Sequence, residues 1–279
     1  MVTASTPGHA GAAPGSDRPE DAGSRGPRLQ VWQFLVLVVG YLVLVQGAVL
    51  LLAAEPGADA HGLTSTDAIL RQVVVPVGIG AAFVLGIVTY LRAWQTVFVE
   101  PRRLRAWVLA IPVVLLVTGL VVTDYSGLAG KGLTFTGALL VATLMVGFSE
   151  ELLFRGVGVQ VFRRSGCSEF RVGLWTSVVF GVAHGSNGLV TGEYGNALLQ
   201  VVLTTGTGFV FYLVFRSTGA LTAAMLAHGW WDFSVLSTQV DPARPTSMEF
   251  VAFGALVVIL LAVLVLRRRV GRDQASTKP

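Results

Sequence analysis

Apolar runs long enough to cross a bilayer follow one another along the chain, separated by short clusters of charge, proline and glycine. At about 20 residues per helical crossing, they predict eight spans: 31–54, 72–92, 105–123, 134–154, 172–190, 195–215, 219–237 and 249–266. The runs are continuous rather than alternating, so they read as helices and not as the short two-faced strands of a β-barrel. The fifth to seventh are studded with Gly, Thr and Ser, as in "GVAHG" (Gly181, Gly185) and "TTGTG" (Gly206, Gly208). Small residues of this kind let helices approach closely in lipid. Ahead of the first run, residues 1–29 are rich in Gly, Ala, Pro, Ser and charge. They bury too little to fold and are expected to form a disordered tail. The first apolar run starts too late and is too long for a signal peptide.

Composition narrows the class to an all-α, polytopic membrane protein. The chain is 53% hydrophobic and 13% charged, with a mean hydropathy of +0.69, and a soluble domain carries about 25% charged residues. The net charge of +4 gains meaning from its placement and gives no nucleic-acid signal. With eight spans and the N-terminus inside, sixteen Arg and Lys fall in cytoplasmic segments and only Arg71, Lys131 and Arg244 on the other side. The outer loops collect acids such as Glu55, Asp59, Asp67 and Asp124. That asymmetry places both termini in the cytoplasm. The lone Cys167 has no cysteine to pair with inside the chain, and nothing near it has metal-ligand spacing. The expected organisation is a tail (1–29), two N-terminal spans (30–104), a helical core (105–240), and a last span with a basic tail (241–279).

Few ionisable groups remain at membrane depth: Glu150, Glu151, Arg155, His184, His228 and Asp232. A charge there costs several kcal/mol, so such groups face a protein interior or a water cavity and have partners. If the fourth helix runs on to Arg163, Glu150 is 13 residues from that arginine, His184 is 13 from Arg171, and His228 is 12 from Arg216. All three then sit ~18–20 Å along their helices, which brings one carboxylate and two imidazoles to a common level. Glu151 and Arg155 are four apart and form a natural ion pair, as are His228 and Asp232. Glu150, turned by about 100° from its neighbour, is left for another surface. An unpaired Glu with two His at one level supplies the ingredients of water activation.

Plainer readings compete with this one. Glu151–Arg155 suffices as a structural pair, His184 as a packed histidine bonded to a backbone carbonyl, and His228–Asp232 as an interhelical clamp. Trp230 and Trp231 read as packing residues. At the level of function, a non-catalytic immunity or scaffold protein, a zinc-dependent hydrolase and a proton-coupled transporter are the alternatives. Zinc lacks an H-E-x-x-H helix, and transport lacks matched broken helices from an internal repeat.

Three motifs occur in order: "EELLFR" (Glu150 to Arg155), "FGVAH" (Phe180 to His184) and "HGWWD" (His228 to Asp232). They resemble the E-E-x-x-x-R, F-x-x-x-H and H-x-x-x-N/D motifs of the type II CAAX prenyl endopeptidases and their bacterial relatives, the CPBP or Abi group of intramembrane glutamic proteases. The resemblance covers about residues 105–240. It implies an endopeptidase without metal or cofactor, acting on a peptide or membrane-protein substrate in the cell membrane of a bacterium. Under it Glu150 is the general base and His184 helps hold the water, while His228 with Asp232 stabilises the oxyanion. Glu151, Arg155 and Phe180 support them. An ionised Asp232 cannot donate to an oxyanion, so it either acts protonated or only orients His228.

Overall fold

The computed structural model describes residues 27–53, 63–101, 104 and 106–240, with isolated helical positions between 254 and 264. Among these residues the secondary structure is helical, apart from one isolated bridge between Val99 and Ala220. We number the principal helices α1 (Val31–Ala53), α2 (Thr66–Tyr90), α3 (Ala110–Val122), α4 (Tyr125–Lys131), α5 (Leu133–Arg164), α6 (Glu169–His184), α7 (Tyr194–Thr218) and α8 (Leu221–Ser237). Helices α1, α2, α5 and α7 are long and apolar enough to cross a membrane. The bent pair ending in α3 and α4, with an angle of 55°, makes a fifth if it counts as one span. Trp32, Val36, Val39, Val43, Val113, Val117, Val141, Val182 and Val202 stay exposed on the outer surface. An apolar belt of this extent belongs against lipid.

The expected spans and the helices differ in instructive places. The fifth, 172–190, stops at His184, and a short helix (Asn187–Thr191) follows after a turn at Gly185. Helices α6 and α8, of 16 and 17 residues, are short for a crossing. The fourth instead runs unbroken for 32 residues to Arg164. Its Leu152–Gly158 portion is a π-helix, a form that frequently marks functional sites. Most of the eighth expected span and most of the tail at 1–29 lie outside the described residues.

Glycines set the two crossings that matter. Gly147 of α5 lies against the backbone of α8: a Cβ there would collide with the Met225 carbonyl and sit 2.7 Å from Gly229 N. A Cβ on Gly229 would in turn lie 2.9 Å from Thr143 O and from Leu144 Cα. Helices α6 and α7 meet where Gly181 abuts Thr205 and the Val201 carbonyl, and where Gly208 lies under Phe180 and Arg155. Between α7 and α8, Gly219 adopts a left-handed φ of 79° and donates its N–H to the Phe215 carbonyl, a helix ending that favours glycine. The hairpin so formed returns α8 along α5 and points His228 at Glu151.

Candidate active site

Four residues beyond Gly147, the Glu151 side chain is fully buried. Its Oε1 accepts a hydrogen bond from Arg155 Nη1 at 2.7 Å and lies 2.9 Å from His228 Nδ1. Arg155, also fully buried, donates from Nη2 to the Gly208 carbonyl at 2.7 Å and stacks its guanidinium 4.4 Å from the centre of the Phe180 ring. The Glu151–Arg155 pair expected from spacing is therefore present. It also does more than neutralise two charges: it ties α5 to α7 through a backbone carbonyl and to α8 through an imidazole.

Both nitrogens of His228 face acid oxygens, Glu151 Oε1 at Nδ1 and Asp232 Oδ2 at 3.3 Å from Nε2. A doubly protonated ring satisfies both, since carboxylates only accept. Phe211 lies parallel to the ring, 4.5 Å away and inclined by 17°, and Phe180 meets it edge-on. The ring is held on every side. His184 is fixed differently. Its Nδ1 lies 2.9 Å from the Phe180 carbonyl, which only accepts, so that nitrogen carries a proton. When neutral, the ring then presents Nε2 as an acceptor. The packed-histidine bond anticipated from sequence is thus made by one nitrogen, and the other is left for chemistry.

Glu150 completes the group. Its Oε2 lies 3.8 Å from His184 Nε2 and 3.9 Å from His228 Nε2, just beyond direct hydrogen-bond reach of both. Helices α5, α6 and α8 thus deliver the three residues that the depth arithmetic brought to one level. Glu150, His184 and Asp232 keep partial access, with side chains 15%, 18% and 26% exposed, whereas His228 is nearly closed off. Among the described residues, no three His, Cys, Asp or Glu side chains are grouped as ligands for a metal ion.

The residues of this group fall in a segment that is similar to a known family. The model of the family described as type II CAAX prenyl endopeptidase Rce1-like matches residues 132–234. We call this matched segment, residues 132–234, the Rce1-like domain for its similarity. It contains all seven residues singled out by sequence: Glu150, Glu151, Arg155, Phe180, His184, His228 and Asp232. An uncharacterised protein of Bacillus subtilis (strain 168), YpbD, is 31% identical over 91 residues, which are 32% of this chain and 39% of that protein. The chain therefore matches less than half the length of that relative. No solved structure matches. With its apolar helices, the chain is a multi-pass membrane protein with a segment similar to that family's model.

Residues outside the Rce1-like domain also reach the site, and sequence reasoning missed them. Tyr41 of α1 is buried, wedged against Gly80 of α2, and accepts a hydrogen bond from Ser149 Oγ at 3.1 Å. Ser149 immediately precedes Glu150 in α5, so this bond ties α1 to the residue beside the carboxylate. Within the domain, Phe211 was also missed. The usable signal was modest: Tyr41 and Gln46 are, with Gln33 near its start, the polar side chains in the first span.

Proposed function

We propose that this chain is a metal-independent membrane endopeptidase in which Glu150, with His184, activates water to hydrolyse a peptide bond. The observation that carries this reading is the meeting of Glu150 Oε2 with two imidazole nitrogens at 3.8 and 3.9 Å, from three separate helices. A water about 2.8 Å from each group fits such a triangle. It would donate one proton to Glu150 and the other to the His184 Nε2 lone pair, with its oxygen turned toward a substrate carbonyl. As the oxygen adds to the carbonyl carbon, Glu150 takes the proton. The His228 Nε2–H, which faces Asp232 at rest, would be shared with the developing oxyanion as it forms, while Asp232 keeps the ring oriented. Collapse of the intermediate breaks the C–N bond, and Glu150 returns its proton to the leaving amine. Glu151, Arg155 and Phe180 hold His228 and His184 in place.

The substrate class is a peptide or a segment of a membrane protein. The prenyl group in the family's description is not carried over, because the arginine-rich, alanine-rich composition and the Bacillus relative favour a bacterial source. We place the chain in the cell membrane with eight spans, both termini cytoplasmic and the site reached from that side. The decisive experiment compares membranes carrying the parent with membranes carrying Glu150→Ala, using proteomics to find proteins cut only by the parent. Purified Glu150→Gln and His184→Ala are expected to lose at least 100-fold in cleavage of those proteins, and the parent to work in chelator. Normal cleavage by both variants, or loss of the parent's activity in chelator, would sink the proposal. A phenotype that survives Glu150→Gln would instead point to a scaffold.

A further inference from the structure

Beside the catalytic group lies a chain of side-chain amides that the chemistry does not use. Gln46 of α1 donates from Nε2 to Ser186 Oγ at 2.9 Å and to Asn187 Oδ1 at 2.8 Å. Asn187 donates from Nδ2 to Gln200 Oε1 of α7 at 3.0 Å. Ser186 and Asn187 follow His184 by two and three residues, in the turn that ends α6. The cluster is half-buried and is bracketed by α1, α6 and α7.

Its hydrogen-bonding capacity is not used up. Among the described residues, no hydrogen bond engages Gln46 Oε1 or Gln200 Nε2. One end therefore offers an acceptor and the other a pair of donors. Reversing all three amides exchanges the two ends but leaves the same pattern.

Peptide hydrolysis inside a membrane sets a particular demand. A helix hides its backbone groups, so the segment to be cut must unwind, and each bared N–H and C=O then lacks water. An unsatisfied backbone group in such surroundings is strongly disfavoured. An extended segment shows N–H and C=O in alternation, which is the complement of one open acceptor and one open donor.

We propose that Gln46, Asn187 and Gln200 form a main-chain binding subsite for the unwound peptide next to the bond cleaved by Glu150. The proposal rests on the endopeptidase reading for its substrate. It assigns selectivity for an exposed backbone, rather than for a side chain, to residues of which Gln46 lies outside the Rce1-like domain.

The test reads binding alone, in the Glu150→Gln protein in detergent, so it stays informative if hydrolysis is never observed. The probes are short fluorescein-labelled peptides of mixed Ala, Val, Leu and Phe sequence, and the same peptides with N-methylated backbones. Unmodified peptides are expected to bind about tenfold more tightly by anisotropy, since N-methylation removes donors. Adding Gln200→Met or Asn187→Ala is expected to erase that preference while thermal midpoints stay unchanged. Gln200→Met is nearly isosteric and apolar, so it suits a membrane helix. Equal binding of both probes, or a preference retained in both variants, overturns the subsite.

Discussion

Glu150 and Glu151 are chemical twins one residue apart, and their surroundings give them opposite roles. Glu151 is closed off and bound to Arg155 and His228, while Glu150 keeps partial access and approaches two imidazoles without bonding either. Removing one partner from a buried ion pair costs about 3–5 kcal/mol. We therefore expect Glu151→Gln to lower the thermal midpoint sharply and to release the His228 ring. Glu150→Gln should leave the midpoint within a degree or two. The differential scanning profiles of the two purified variants check this, and equal destabilisation would dissolve the division. Spacing exposed the Glu151–Arg155 pair because both partners lie on one helix. It did not expose Glu151–His228, which depends on Gly147 and Gly229 letting α5 and α8 touch. Proximity across helices is set by packing, and a single chain's periodicity does not encode it.

At the scale of elements, one end of α5, α6 and α7 is locked by charge. Arg163 reaches Glu100 at 2.6 Å and Glu169 at 2.8 Å, while Arg216 and Tyr212 also converge on Glu169. Burial pushes the Glu169 carboxyl up, but the hydrogen bond from Arg163 and the charges of Arg216 and Arg163 outweigh it and hold the group at about 2, below its ordinary 4.5. A depressed carboxylate stabilises the fold fully above its unfolded value, and that contribution fades as pH falls toward the folded one. The thermal midpoint should thus decline between about pH 4.5 and 2, and less steeply in Glu169→Gln. Identical acid profiles for parent and variant would refute the assignment. In the sequence these arginines served as topology markers and as depth references for Glu150 and His228, not as ion-pair partners. Their pairing with Glu100 and Glu169 depends on α5 running on to Arg164, ten residues past the apolar window that defined the fourth span. The end of α6 was equally hidden, because Gly185 and Ser186 look no different from the packing glycines and serines before them.

Taken whole, the molecule was legible as a polytopic helical protein because lipid demands long apolar runs with internally satisfied backbones. The number and direction of its crossings are harder to read, since α6 and α8 are short and much of the basic C-terminal segment lies outside the described residues. The single Cys167, partly exposed between α5 and α6, offers a direct measure of direction. A membrane-impermeant maleimide is expected to label it in inverted vesicles and not in intact cells. Labelling in intact cells would turn the topology over. The wall that Tyr41 and Gln46 build from α1 has a different kind of consequence. The groups that would break the bond sit in residues 132–234, but part of the surface a substrate would touch is contributed by a helix that lies outside that segment. If the proposed hydrolysis holds, substitutions on α1 would alter which segments are cut without touching the groups that cut them, so selectivity and chemistry would be separable by mutation.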